Sequence, residues 1–553
     1  MLPSASSSFS LIVLALLLPL LPRLLLLFSS HSGSSLSPHS SSNNGDYEAH
    51  RKWIGTALSL PRSEWYFHDL EYWGADYPPF CLLVHELFGR VLAAVTSDED
   101  QVDLKLRGYE GGVVVMRLLN IAMEYSTSFL VLFLFLRDSV QCSLLSSSSS
   151  SSSSSFSTSS ALICTSLILS CPLLPLVDHG HFQISNGLPL SLALLSVHLT
   201  TSPSSQSHWQ MAAGCVAFTL SILMKQMSLY FAPVVFFHLL SWSLSPPDGK
   251  LSSRALRFLT LAIPVLLTAA LTFLPFPPSQ YLHILQRMFP FHRGLFESKV
   301  SSLWCFLDTY PLDIRKRASP EALQKLSLLA TLAAIAPSCA KALALKSASR
   351  TQMAKLLHQC ALGFYLFSFH VHEKTILFPL FPLLLDFAAE GQLGYVAMQA
   401  GISMCSCWFL FVLDGLEGEL GAALLWWGGV AVAGLELAPE KKTKKTAKQE
   451  TWKGTRKVTK DSDENQKGRK SVGEWIHAQL SFSIPLLALV AMLSLIAASH
   501  ILEPPASLPD LYPVLVSAVG FCAFFCAWMR ATWDVFRMEN GGERGKEKSI
   551  KAE

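Results

Sequence analysis

Charge is scarce in this sequence. Asp, Glu, Lys and Arg make up 15% of its 553 residues, half of the residues are apolar, and the formal net charge is +3. A chain this apolar is not an ordinary soluble domain. The net charge decides little and calls for no nucleic-acid partner; its placement decides more, because much of the basic excess lies in two short segments. A disulfide framework is also missing. The twelve cysteines show no repeating spacing, and Cys405-Ser-Cys407 and Cys522-x3-Cys526 are not zinc spacings. Most lie inside apolar runs (Cys164, Cys171, Cys215), where thiols act as small apolar side chains. No HExxH is present, and no GxGxxG, P-loop or GxSxG stands in a suitable context, which argues against a nucleotide-driven pump or a serine hydrolase. No convincing duplication relates the two halves, as a transporter built on repeats would show.

What is present is a succession of apolar runs of roughly the length that spans a bilayer. Phe9 to Phe28 reads as an uncleaved first helix, since no clear small-x-small site closes it. Further spans are expected near 113–136, 161–177, 187–200, 211–241, 255–276, 322–345, 356–371, 375–390, 396–413, 420–437, 478–499 and 511–533, eleven to fourteen in all. Ser29 to Asn44 is a low-complexity tether. Ten consecutive serines, Ser146 to Ser155, read as a disordered spacer, because such a tract buries too little apolar surface to fold. Glu440 to Lys470 carries twelve Lys or Arg against five acids, and the tail from Arg530 is basic. The positive-inside rule puts both in the cytoplasm. The expected division is a first helix and tether (1–45), a transmembrane core (46–437, with the spacer at 146–160), a basic linker (438–474), a helical hairpin (475–533) and a charged tail (534–553).

Four polar clusters break the apolar pattern. Charged groups beside a hydrocarbon core cost several kcal/mol unless paired or in water, so they usually mark function. The first is Glu64 to Phe80, EWYFHDLEYWGADYPPF, with four acids. Asp76 precedes Tyr77-Pro78-Pro79, where the prolines disfavour helix and lack amide donors; an acid in so stiff a turn reads as a catalytic base at a membrane surface. The second is Asp178-His-Gly-His-Phe-Gln183, either a helix-end cap or a substrate contact. The third runs from Gln286 to Glu297, where Arg287, His292 and Arg293 either snorkel at an interface or hold a phosphate. The fourth, His370-Val-His-Glu-Lys374, is the sharpest; in a helix His370, Glu373 and Lys374 share one face. A zinc site is disfavoured, because His370 and His372 at i, i+2 point apart on a helix. A membrane transporter or a non-catalytic scaffold remains an alternative class.

Together these segments resemble the dolichyl-phosphate-glucose-dependent glucosyltransferases of the endoplasmic reticulum. WYFHDLEYWGADYPPF, RGYE, DHGHFQ, MKQMSLY, RMFPFHRGLFESKVSSLWC and FSFHVHEKTIL occur in that family's order. The longer RGLFESKV block resembles the enzyme that adds the first glucose, whereas DYPPF, VDH and HVHEK also resemble the sister that adds the second. The family's HFQYN stands here as His181-Phe-Gln-Ile-Ser-Asn186. The resemblance implies an all-α polytopic GT-C fold with a lumenal active site in the endoplasmic reticulum membrane. It implies a dolichyl phosphate glucose donor, a dolichyl-diphosphate-linked oligosaccharide acceptor, contact with membrane lipid, and no cofactor or metal. On it Asp76 is the base, His372, Lys374, Arg287 and Arg293 bind the donor phosphate, and Glu297, Glu373, His181 and Gln183 position substrate.

Overall fold

A computed structural model of the chain describes residues 5–33, 45–68, 74–95, 112–137, 153–184, 186–201, 207–289, 294–296, 298–309, 312–390, 392–437 and 473–539. Among the described residues the only extended pairing is one parallel bridge, Phe296 with Val371; the regular structure is otherwise helical. Five helices are long and apolar enough to cross a membrane: Val113–Arg137, Leu251–Phe273, Pro320–Ala344, Gly473–Ser499 and Leu511–Arg537. Ala161–Leu169 and Leu173–Phe182 pass the same test jointly, with a 42° bend between them. The remaining expected spans include shorter apolar helices such as Gly187–Thr200, His208–Met224 and Ala232–Leu244.

The helix Leu251–Phe273 shows why a bilayer is the solvent. It buries only Leu261 and Thr272 and turns Leu256, Phe258, Leu259 and Leu266 outward. A helix satisfies its own backbone, so such a surface is stable against lipid and costly against water. This is an all-α polytopic membrane protein. The cysteines fit that reading: nine are buried, and all described ones are free thiols. One expectation is corrected. The spacer does not reach residue 160, because a helix starts at Ser153 and runs into the apolar stretch ending at Leu169. The rest of the serine tract, the Arg107–Glu110 block and most of the basic linker lie outside the described residues.

The helices that build the site are α1 (Ala5–Leu25), α2 (Asp46–Ser59), α3 (Pro79–Val95), α4 (Val113–Arg137), α5 (Ser153–Leu169), α6 (Gly187–Thr200) and α7 (His208–Met224). Two buried arginines join them. Near the end of α1, Arg23 donates from Nε and Nη2 to the two carboxylate oxygens of Glu124 on α4, at 2.7 and 2.9 Å. Its Nη1 donates to the carbonyls of Pro19 and Leu169 at 2.6 and 3.0 Å. The two side chains have no exposed surface, so the fork-to-fork geometry is what makes burial of both charges tolerable. Arg117, also on α4, has no exposed surface either. It donates to five carbonyls: His179 and Gly180 on one side, Leu27, Ser29 and Ser30 on the other. The chain leaving α1 is thereby fixed against the Asp178–Gln183 cluster.

Candidate active site

Pro172 and Pro175 interrupt the span begun by α5, and Leu176–Phe182 continues as a wide π-helical turn. Turns of this kind recur at functional sites because they re-aim side chains. Phe182 ends it at φ +74°, a left-handed conformation that is strained for a bulky residue. The turn sends neighbouring side chains to different places. The Asp178 carboxylate accepts from the backbone N–H groups of Asn186 and Gly187 at 2.8 and 3.0 Å, and from Asn186 Nδ2 at 2.5 Å. It caps the start of α6, where free N–H groups favour an anion. His179 Nε2 lies 3.4 Å from Glu124. His181 and Gln183 point the other way, into the site.

There they meet Asp46, the first residue of α2. One oxygen, Asp46 Oδ2, lies 2.9 Å from His181 Nε2 and accepts from Gln183 Nε2 at 2.5 Å and from Lys374 Nζ. Burial pushes the Asp46 carboxyl up, but the Lys374 ammonium and the His181 ring overcome it and hold the group well below the usual carboxylate range. Sharing one oxygen brings Lys374 Nζ to 3.3 Å from His181 Nε2. His181 Nδ1 lies 2.6 Å from Asp414 Oδ2. Behind Gln183, the buried Lys225 at the end of α7 donates to Gln183 Oε1 at 2.6 Å and to Asn186 Oδ1.

Lys374 sits in a single 3-10 turn, Glu373–Ile376, entered through a segment whose geometry differs from the expected helix. His370 has φ +58° and His372 is extended. The His370 N–H donates to Leu295 O at 2.8 Å, its Nδ1 lies 3.0 Å from Gly294 O, and Val371 bridges to Phe296. Backbone pairing with the GLFESKV block therefore replaces a helical face, and Glu373 and Lys374 diverge. Glu373 is fully buried. It accepts from the Lys299 N–H at 2.8 Å and lies 2.9 Å from His372 Nδ1, so it ties the two blocks together. Burial pushes its carboxyl up, and His372 with the Lys299 N–H pulls it below its ordinary value.

The Asp76 turn forms an adjoining wall. Arg287 Nε donates to Ala75 O at 3.1 Å, Gln226 Nε2 to Asp76 O at 3.5 Å, and Tyr66 Oη to Tyr77 O at 2.7 Å. Arg287 thus braces this turn. Tyr77 connects the walls: its hydroxyl lies 3.5 Å from Gln183 Nε2, and Lys225 Nζ sits 5.5 Å over its ring. Burial, then the charges of Asp46 and Asp76, push the Tyr77 phenol well above its ordinary value. Arg293 and Glu297, expected to bind the donor phosphate and to position substrate, lie outside the described residues.

The fold therefore gathers His181, Gln183 and Lys374 on one carboxylate, sets His372 with Glu373 beside them, and places Asp76 with Arg287 on the next wall. Asp46, Lys225 and Asp414 are additions. Asp46 opens the polar segment ahead of the Asp76 turn, Lys225 stands in the MKQMSLY block, and Asp414 opens the short acidic stretch Asp414 to Glu419 between apolar runs, a break in hydropathy that marks it.

Residues 16–531 match the ALG6, ALG8 glycosyltransferase family. The chain is 31% identical over 516 residues to the probable dolichyl pyrophosphate Man9GlcNAc2 alpha-1,3-glucosyltransferase of Schizosaccharomyces pombe, covering 91% of this chain and 88% of that one. It is 31% identical over 511 residues to the Saccharomyces cerevisiae dolichyl pyrophosphate Man9GlcNAc2 alpha-1,3-glucosyltransferase, covering 90% and 87%. The Gallus gallus protein of that name is 31% identical over 529 residues, 94% of each chain. With a match that runs from α1 into the last long helix and takes in every wall of the site, this membrane protein belongs to the ALG6, ALG8 glycosyltransferase family.

Proposed function

We propose that this chain transfers glucose from dolichyl phosphate glucose to the terminal mannose of a nine-mannose dolichyl-diphosphate-linked oligosaccharide, adding the first α-1,3-glucose at the lumenal face of the endoplasmic reticulum membrane. The observation that carries the reading is the convergence of Lys374, His181 and Gln183 on the Asp46 carboxylate at the end of a tether from the first helix. Relatives named as dolichyl pyrophosphate Man9GlcNAc2 alpha-1,3-glucosyltransferases support the first-glucose reading. Inversion from a β-phosphate donor to an α bond needs one displacement and one base, with no covalent glycosyl-enzyme. The mannose hydroxyl oxygen attacks the anomeric carbon, the bond to the phosphate oxygen breaks, and its electron pair leaves on dolichyl phosphate. The hydroxyl proton passes to a carboxylate.

Two carboxylates flank Tyr77, and the geometry favours Asp46 as the base. It lies beside Lys374, the cation suited to the leaving phosphate, so proton removal and charge stabilisation sit on one spot. Lys374 and His181 crowd one oxygen. A donor phosphate at the same depth competes for the ammonium, relieves that repulsion and leaves Asp46 more basic. Asp76 is the second reading, favoured by its rigidly braced turn.

Purified protein incubated with dolichyl phosphate glucose and the nine-mannose lipid-linked glycan should yield a product heavier by one hexose. Turnover only of an acceptor that already carries one glucose would assign the second-glucose reaction instead. Lys374→Met should raise the donor KM by about 10–100-fold, the worth of a hydrogen bond to a charged group, and leave the acceptor KM near wild type. If acceptor affinity fell while donor kinetics held, the His372–Lys374 loop would belong to the acceptor.

A further inference from the structure

We propose that Asp414 is a positioning residue of the transfer reaction, acting on Asp46 through His181; this rests on the glucosyltransferase reading above. Asp414 follows the short helix Trp408–Leu413. Gly415, at φ +71°, turns the chain back, a conformation that glycine adopts at no steric cost. The Gly415 and Leu416 N–H groups close the turn on the carbonyls of Val412 and Phe411, at 3.1 and 2.8 Å. A carboxylate at the carbonyl end of a helix is disfavoured by the local dipoles. This one is also only 4% exposed, and a buried charge is costly unless paired. The next helix, Glu417–Leu437, begins only three residues on, and its amide end favours acids, but that end does not hold this carboxylate. Its partner is His181, whose Nδ1 lies 2.6 Å from Asp414 Oδ2.

The two turns are fitted to each other across more than two hundred residues of chain. Leu416 is fully buried, and a methyl group added to Gly180 would come within 3.2 Å of its Cδ1. Glycine at 180 thus permits the approach that sets Asp414 on His181. Both ring nitrogens of His181 then face carboxylates, Asp414 at 2.6 Å and Asp46 at 2.9 Å. A neutral imidazole has one N–H, so the doubly protonated ring is the form that serves both. The other charged groups around it are Lys374, 3.3 Å from Nε2, and Arg117, which holds the carbonyls of His179 and Gly180. The array alternates in sign: Asp414, His181, Asp46, Lys374. Asp414 holds the ring in the one orientation that keeps Nε2 on Asp46, and so fixes the carboxylate that receives the acceptor proton.

The test uses the full chain, purified in detergent, with whichever acceptor the wild type turns over; a wrong acceptor then counts against the function and leaves this comparison intact. Asp414→Asn keeps the shape and removes the charge. It should lower kcat on the order of 10–100-fold, the size of effect that follows loss of the carboxylate behind a metal-bound histidine, with both KM values and the melting temperature near wild type. Asp414→Glu should recover part of the loss. Asp414→Asn combined with His181→Asn should be no slower than His181→Asn alone, because both changes break one linkage. Gly180→Ala, which leaves the acid in place but presses on Leu416, should give a smaller loss of the same kind. Wild-type kcat in Asp414→Asn overturns the proposal. So do independent, multiplying losses in the double variant, or a loss that tracks only the melting temperature.

Discussion

An Asp46→Asn enzyme is expected to fold and to lose turnover by about 10²–10⁴-fold, the usual cost of removing a general base. Asparagine keeps an oxygen that can accept from Lys374, His181 and Gln183, so the packing around α2 should survive. What disappears is the negative charge that those donors share and the lone pair that takes the proton. Steady-state rates of the purified variant, with both substrates saturating, measure this. The comparison with Asp76→Asn is decisive. The Asp76 turn is braced through backbone carbonyls at Ala75, Asp76 and Tyr77, contacts that the substitution leaves in place. Its loss should therefore be smaller. If Asp76→Asn is the crippled enzyme and Asp46→Asn retains near wild-type turnover, the base is Asp76, and Asp46 serves only to hold Lys374.

Glu124→Leu should cost about 3–5 kcal/mol of stability, because removing one partner of a buried pair strands the other charge. Arg23 would keep the carbonyls of Pro19 and Leu169 but lose the carboxylate bonded to it. The site is tight as well: a methyl group on Gly187 would fall 2.1 Å from Glu124 Cγ, so little water can enter to solvate the guanidinium. Thermal unfolding in detergent should show a large drop in midpoint. Adding Arg23→Met to Glu124→Leu should restore much of the loss, since the stranded charge is then gone. A single variant as stable as wild type would mean that the pair contributes nothing to holding α1 on α4.

Much of the fold was legible because long apolar runs have one stable form in a bilayer. The polar clusters were legible for the same reason, since each stands out against that background. Their mutual arrangement was not. Asp46 meets His181 and Lys374 across 135 and 328 residues of chain, and no local pattern encodes such a meeting. The His370–Lys374 stretch was misread as helical because its spacing permits one face. The bridge of Val371 to Phe296 and the positive φ of His370 are tertiary effects that override that preference. Asp178 carried two readings at the sequence level, and its three donors from Asn186 and Gly187 settle it as a cap. Asp414 is not singled out by the sequence, because with Glu417 and Glu419 behind it the acid also suits an ordinary helix start.

The pairing of Arg23 with Glu124 also has a meaning in time. The arginine is made first, and its carboxylate lies 101 residues later in the chain. At translation rates of roughly 5–20 residues per second, the partner follows about 5–20 s behind. During that interval a charged, proline-containing helix stands at the membrane without the group that neutralises it. The joint between α1 and α4 thus cannot close until the later helix has been made.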